Sequence, residues 1–242
     1  MRCLIVIPAR MGSTRFPGKP LVDLLGKPMV QWVYERAVAS GAADDVLVAT
    51  PDPEIVEACA RFGGRCETTR PDHPTGTDRL AEVAQRVKAE VYVNVQGDEP
   101  LVSPASVAAC ANALFSCPEA QVSSVYEPCP PEDVQKPSVV KVVTDLEGWA
   151  LYFSRHPIPF ERNARGAPVL KHVGLYGYRA DALRAFCAWE PTPLEQAESL
   201  EQLRFLEHGY RVKMAQGVGS GIAIDEPGHV EAVVRCLAAQ MP

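Results

Sequence analysis

Arg10, Arg15 and Lys19 follow one another within ten residues, interleaved with Gly12 and Gly18, directly after the apolar run Ile5-Val6-Ile7. Glycines let backbone N–H groups approach an anion closely, and three cations neutralise it. At the end of a first strand, that combination reads as a cradle for a triphosphate, because open α/β sheets bind ligands beyond the carboxyl ends of their strands. A Walker A loop is excluded. Five residues separate Gly12 from Gly18, and Pro20 stands where that loop needs a metal-binding hydroxyl. The Gly-x-Gly-x-x-Gly dinucleotide fingerprint is also absent. The competing reading is an ordinary polar turn with solvated charges.

Two carboxylates suit a cation that accompanies a triphosphate. Asp98 lies in Asn94-Val95-Gln96-Gly97-Asp98-Glu99-Pro100, just past an apolar strand, and Asp225 follows Gly221-Ile222-Ala223-Ile224 before Pro227. Magnesium commonly takes one or two protein carboxylates and completes its octahedron with phosphate oxygens and water. Two aspartates from distant strand ends, converging on the cationic loop, would supply that, with Glu99 and Glu226 as decoys. Taken singly, Asp98 also fits a turn and Asp225 the amino terminus of a helix.

Two further clusters are polar. Thr75-Gly76-Thr77-Asp78-Arg79 runs from a loop into a helix and could offer hydrogen bonds to a base or ribose. Helix capping by Thr77 is the alternative. In the second half stand Arg155, His172, Tyr176, Glu201 and Gln202. Arg suits a carboxylate because its planar fork pairs bidentately. Strand alternation puts His172, Gly174, Tyr176 and Tyr178 on one face, with Val173 and Leu175 opposite. Glu201 and Gln202 are adjacent on an expected helix. Together these groups make a pocket for a polyhydroxylated substrate only if the fold unites them.

The frame that must position them is an α/β one. Residues 3–7, 45–49 and 91–95 read as strands, and 29–38 and 78–88 carry apolar side chains on one helical face. Strand–helix alternation implies a parallel sheet covered on both faces. Pro28 and Gly41 bracket the first helix. In the second half, 139–143, 150–154 and 169–178 look like strands, the last two separated by an excursion over 156–168. Helices are expected over 180–188, 197–208 and 228–239. One α/β domain with an inserted β-rich lobe is the economical architecture.

Composition narrows the function. The 242 residues can bury a substantial core, and 47% hydrophobic with 22% charged residues is ordinary for a globular protein. A net charge of −6 argues against wholesale binding to nucleic acid or an anionic membrane. No apolar run is long enough to span a membrane, and the amino terminus lacks the order of a signal peptide. The eight cysteines lack a Cys-x-x-Cys pair and read as reduced, mostly buried small hydrophobes, which points to the cytoplasm.

Several blocks resemble one family. They are Ile7-Pro8-Ala9-Arg10, Gly12-Ser13-Thr14-Arg15, Pro17-Gly18-Lys19-Pro20-Leu21, Thr75-Gly76-Thr77-Asp78-Arg79, Asn94 to Pro100, Val140-Lys141-Val142-Val143 and Tyr152-Phe153-Ser154-Arg155. The series continues with His172 to Arg179, Leu200-Glu201-Gln202-Leu203-Arg204 and Gly221 to Asp225. In this order, over nearly the whole chain, they resemble CMP-Kdo synthetases (3-deoxy-manno-octulosonate cytidylyltransferases). The blocks from Gln96 and from His172 are the most specific.

The resemblance implies a Rossmann-like, open, mostly parallel sheet of the nucleotide-diphospho-sugar transferase type. A sugar-binding and dimerisation lobe would lie at roughly 125–205 within a single domain. It implies cytidylyl transfer from CTP to the anomeric hydroxyl of Kdo, with magnesium and release of pyrophosphate, for lipopolysaccharide synthesis. Arg10 and Lys19 would hold the triphosphate, Asp98 and Asp225 the metal. Pro8, Ala9, Thr75 and Arg79 would contact the cytidine. Gln96, Arg155, His172, Tyr176, Glu201 and Gln202 would line the sugar-acid pocket, with Arg15 near the reacting groups. His172 is expected to bind substrate rather than act as the base. A homodimer is expected. The alternatives are the same transfer to amino-Kdo, another sugar acid or a phosphonate, or a catalytically silent nucleotide-binding regulator. Two blocks depart from the family pattern: Glu226-Pro227-Gly228-His229 where Thr-Pro-Glu-Asp is usual after the aspartate, and Lys136-Pro137-Ser138.

Overall fold

The computed structural model describes residues 1–240 except 14, 164, 165, 167 and 220. Thr14 of the cationic loop and part of the 156–168 excursion therefore lie outside the described residues. In chain order the elements are β1 (Cys3–Pro8), β2 (Asp23–Leu24), β3 (Lys27–Pro28), α1 (Met29–Ala39), β4 (Asp45–Thr50), α2 (Pro53–Phe62) and β5 (Arg65–Thr68). Next come α3 (Gly76–Arg86), β6 (Val91–Val95), α4 (Pro104–Ser116), β7 (Val122–Pro128), β8 (Lys141–Thr144), β9 (Ala150–Ser154) and β10 (Leu170–Arg179). The chain closes with α5 (Ala180–Ala188), α6 (Pro193–Glu198), α7 (Gln202–Glu207), β11 (Val212–Gln216) and α8 (Val230–Ala238).

The main sheet runs β11-β7-β10-β6-β1-β4-β5. β1 pairs in parallel with β4 on one side and β6 on the other, and β4 with β5. β10 alone on this path runs antiparallel, to both β6 and β7. The expected mostly parallel sheet is therefore present, with one reversed strand near its middle. β8 branches from β10 and pairs with β9, a short antiparallel pair off the main path.

Alternation along β1 explains the layers. Cys3, Ile5 and Ile7 pack with α1, α2 and α4, while Leu4 and Val6 point to the other face with Leu80, Phe186 and Leu203. A strand buried on both faces reads as a continuous apolar run, which is why it stands out in the sequence. Strand order reverses at β1, whose neighbours are reached in opposite directions. The crevice beyond the carboxyl ends of β1 and β6 is the place such sheets offer to a ligand.

Three expectations change. β7 lies where no strand was expected, and its Ser123 and Ser124 are both fully buried. Their hydroxyls donate to the carbonyls of Cys110 (2.8 Å) and Leu175 (2.7 Å), which meets the cost of burying them. The single helix expected over 197–208 is broken at Ser199, which adopts φ 53°. A buried Arg204–Glu195 ion pair at 2.5 Å then holds α6 against α7. Finally, residues 221–225 form no strand; Ile224 is buried and its N–H donates to the carbonyl of Asp98 at 2.9 Å. Among the described residues, no helix is long and apolar enough to cross a membrane. Four cysteines are buried, and Cys187 is exposed.

Candidate active site

A cleft of about 340 Å³ opens at the carboxyl ends of β1 and β6. Its wall contains Pro8, Ala9, Arg10, Gly12, Arg15 and Lys19 from β1 and its loop, His73 to Gly76 and Arg79 from the α3 entry, and Gln96 to Asp98 after β6. Two glycines let these walls meet. A Cβ on Gly97 would lie 2.5 Å from the Pro8 carbonyl oxygen, and one on Gly76 would lie 3.1 Å from Pro8 Cγ. Glycine is required at Gly97 by that backbone approach.

The cationic loop works differently from a backbone nest. The N–H groups of Met11, Ser13, Gly18 and Lys19 are spent on Asp52, Met11, Met11 and Phe16 respectively. Gly18 takes φ 74° to enter a short 3-10 turn over Lys19–Leu21, whereas Gly12 merely faces open space. An anion at this loop would therefore meet mainly its side chains. Arg10 is exposed at the cleft.

Asp98 and Asp225 converge although 127 positions separate them. Lys19 Nζ lies 2.7 Å from Asp98 Oδ2 and 3.9 Å from Asp225 Oδ1. Arg15 pairs with Asp225 Oδ1 at 3.1 Å. Asp225 owes its place to the Ile224–Asp98 backbone bond and to its own N–H donating to His229 Nδ1 at 3.2 Å. The departure after Asp225 thus supplies a positioning side chain, His229, instead of a helix cap. Burial, Asp98 and Glu127 push the neighbouring Glu99 carboxyl up to about 8.

At the α3 entry, Thr75 rather than Thr77 is the cap. Its hydroxyl oxygen accepts from the Asp78 N–H at 3.3 Å, and the Asp78 carboxylate accepts from the Thr75 N–H at 3.2 Å. Thr77 instead donates to Glu201 Oε2 at 3.0 Å. Arg79 lines the cleft but is buried, with its guanidinium held by the Thr69 hydroxyl and the Arg70 carbonyl. Burial and the nearby Arg10 lower its pKa. His73, which the sequence reading passed over, also borders the cleft and is hydrogen-bonded to Glu82. Its only sequence signal is its position two residues before Thr75.

Of the second-half residues, His172, Tyr176 and Gln202 meet on the face of β10 that Tyr176 shares with Tyr178, Glu201 reaches Thr77, and Arg155 is tied instead to the Glu198–Ser199 turn. The ring of His172 stands 5.3 Å from that of Tyr176. Ser124 gives its one proton to Leu175, so its oxygen accepts from His172 Nε2–H at 2.8 Å. Desolvation lowers the His172 pKa to about 3, and the ring is neutral at physiological pH. Tyr176 donates to Gln202 Oε1 at 3.1 Å, and burial raises its pKa. Burial also raises the Glu201 carboxyl. The break before α7 puts Glu201 and Gln202 at a helix start, where both side chains turn inward.

Arg155 sits beside that break. Three of its N–H groups donate to the carbonyls of Glu198 (2.7 Å), Pro137 (3.0 Å) and Ser199 (3.2 Å). Lys141, fully buried, ties the carbonyls of Lys136 (3.0 Å), Val139 (2.6 Å) and Arg155 (2.6 Å) together beneath it. Most of the Arg155 fork therefore holds loops in place.

This geometry has close counterparts. A family model described as cytidylyltransferase matches residues 4–214. The 3-deoxy-manno-octulosonate cytidylyltransferase of Geobacter sulfurreducens is 49% identical, with 98% of this chain and 100% of that one covered. The enzyme of the same name from Escherichia coli is 45% identical, with 99% and 97% covered. The solved structure of CMP:2-keto-3-deoxy-manno-octonic acid synthetase complexed with CTP superposes with a TM-score of 0.96 at 44% identity, covering both chains fully. A nucleotidyl transferase from Methanothermobacter thermautotroptrophicus, at 18% identity and a TM-score of 0.65 with 99% of each chain covered, shares the fold alone. The chain belongs to the cytidylyltransferase family and, within it, to the 3-deoxy-manno-octulosonate cytidylyltransferases.

Proposed function

We propose that this protein transfers the cytidylyl group of CTP to the anomeric hydroxyl of Kdo, giving CMP-Kdo and pyrophosphate for lipopolysaccharide synthesis. The observation that carries this reading is the convergence of Lys19, Arg15, Asp98 and Asp225 beside the Gly97–Pro8 cleft. In the reaction the anomeric oxygen bonds to the α-phosphorus as the bond to the pyrophosphate oxygen breaks, and the hydroxyl proton passes to water or a neighbouring carboxylate. Negative charge grows on the phosphoryl oxygens and on pyrophosphate, so positioned cations supply most of the acceleration.

Arg10 and Lys19 hold the triphosphate in this reading, and Arg15 faces the junction with the acceptor. Pro8, Ala9, Thr75 and Arg79 border the nucleoside, the last as a buried support rather than a free donor. Gln96, His172, Tyr176, Glu201 and Gln202 line the acceptor pocket, and Arg155 meets the carboxylate through its remaining N–H groups. His172 binds substrate: a base whose conjugate acid has a pKa of about 3 is mismatched to proton abstraction near neutrality.

Asp98 and Asp225 fit a divalent cation, because the Lys19 ammonium already stands between them as a cation. Bound there, magnesium would neutralise charge developing on the phosphoryl oxygens. We also read residues 125–205 as the acceptor-binding lobe of a single domain, which contributes to a homodimer in the cytoplasm. Leu151, 61% exposed on the edge strand β9, is a natural contact for that dimer. A monomer by sedimentation at micromolar concentration would remove the dimer.

Pyrophosphate release from CTP and magnesium, measured across a panel of sugar acids, tests the function. Release with Kdo is expected. Release with amino-Kdo or another acid alone would reassign the acceptor, and tight CTP binding without any release would leave a nucleotide-binding regulator.

A further inference from the structure

Asn94 lies inside the sheet, fully buried, and neither its amide nitrogen nor its carbonyl oxygen meets a hydrogen-bonding partner among the described residues. Nearly all buried side-chain amides are paired, because leaving one unpaired forfeits its hydration without return. An apolar residue of the same size would suit a purely structural position better. Register places Asn94 opposite Tyr176 on β10 and beside Val6 on β1. Alternation puts it on the same face as Gln96, one layer deeper below the cleft.

A second buried amide adjoins the same tyrosine. Gln202 is 2% exposed, its Oε1 accepts from the Tyr176 hydroxyl at 3.1 Å, and its Nε2 has no partner among the described residues. The tyrosine bond fixes the amide's orientation, so Nε2 is left as a committed donor. Two amides flanking Tyr176 thus present one acceptor, Asn94 Oδ1, and two donor nitrogens. A hydroxyl oxygen satisfies such a set, because it both donates and accepts. A carboxylate only accepts, and a methylene does neither.

We propose that Asn94, together with Gln202, binds a hydroxyl oxygen at the floor of the acceptor pocket and thereby sets which sugar acid is used. This rests on the functional reading above. The oxygen belongs either to the acceptor itself or to one ordered water that holds it. Asn94 is in this view a specificity residue, with no part in the phosphoryl chemistry.

The experiment is steady-state pyrophosphate release by Asn94→Leu beside the wild type, using the acid that the wild type turns over best. Wild-type turnover on Kdo is measured first, so failure of the functional reading is seen separately from failure of this proposal. The expected result is a KM for the sugar acid raised at least ~10-fold, the loss of one or two buried hydrogen bonds. The KM for CTP stays within about twofold, and the melting temperature is unchanged or higher, since a desolvated amide is gone. Unchanged KM values for both substrates would overturn the proposal. So would a parallel rise of both with a lower melting temperature, which marks a structural residue. Should Asn94→Leu not fold, Asn94→Ser, which keeps a donor and an acceptor, is expected to show the same split at smaller size, and equal KM changes would overturn the proposal. Deoxy analogues of the acid locate the oxygen. With direct contact, one analogue loses affinity on the wild type and loses no more on the variant. With a bridging water, part of the wild-type loss persists on the variant, whereas fully additive losses mean that residue and hydroxyl act independently and would overturn the proposal.

Discussion

Replacing Lys19 with Met probes the two electrostatic roles assigned to one ammonium. Lys19 Nζ is 2.7 Å from Asp98 Oδ2 and 3.9 Å from Asp225 Oδ1; its side chain is 13% exposed, those of the carboxylates 33% and 41%. Unit charges about 4 Å apart attract by about 4 kcal/mol at an effective dielectric constant near 20. Desolvation and the half-exposed carboxylates offset most of this, so removal should cost on the order of 1–3 kcal/mol of stability. For a chain of this size that is a melting point lower by roughly 2–4 °C per kcal/mol. If Lys19 holds the triphosphate as proposed, its ammonium faces charge that develops on the phosphates, where loss of one donor costs about 10²–10³ in rate. Pyrophosphate release with varied CTP at saturating acceptor should therefore show kcat/KM down by that factor, alongside a modest thermal shift. A kcat/KM within threefold of wild type would refute the assignment of Lys19 to the triphosphate. A collapse in stability with normal activity per folded molecule would make Lys19 a clamp on the two aspartates and nothing more.

Asp98→Asn and Asp225→Asn should each cut turnover by at least about 100-fold while circular dichroism stays native, since each removes a negative charge from the carboxylate pair that would hold the cation; near-normal turnover in both would remove them from the site. Gly97→Ala should lower the urea midpoint by the equivalent of ~1–3 kcal/mol, because a Cβ 2.5 Å from the Pro8 carbonyl forces β1 and β6 apart. It should reduce activity as well, through displacement of Asp98. For His172, the folded-state pKa is depressed from 6.5 to about 3, so the unfolded chain takes up its proton first as pH falls. The associated stability is present above pH 6.5 and is lost on acidification from there toward 3. Urea unfolding of His172→Gln at pH 7 and pH 5 should show a smaller drop than wild type, and an equal drop would count against the buried neutral imidazole.

The chemistry of the site was largely legible in the sequence because it lies in residue types next to strong local signals. The apolar runs of β1 and β6 announce buried parallel strands, and Arg10, Arg15, Lys19 and Asp98 follow them at once. The alternation of His172, Tyr176 and Tyr178 survives the irregularity in β10 because one face of that strand is buried against aromatic rings. Local patterns failed where partners distant in sequence make the decision. Ser123 and Ser124 sit in a core strand because carbonyls of α4 and β10 accept their protons. Thr77 is drawn from capping by Glu201, 124 residues away. The α6–α7 helix breaks where the Arg204–Glu195 pair takes over.

What the sequence alone determined is the inventory: three clustered cations, two carboxylates and a polar face on β10, on an α/β frame. Which of these groups are free and which are engaged was decided only by tertiary structure. Arg155 and Arg79 lend guanidinium protons to backbone and hydroxyl oxygens, Lys141 is spent on three carbonyls, and Asn94 is left unpaired among the described residues. The reason is that a residue's type states what it can donate or accept, whereas its partners are set by strands and turns brought together across the whole chain.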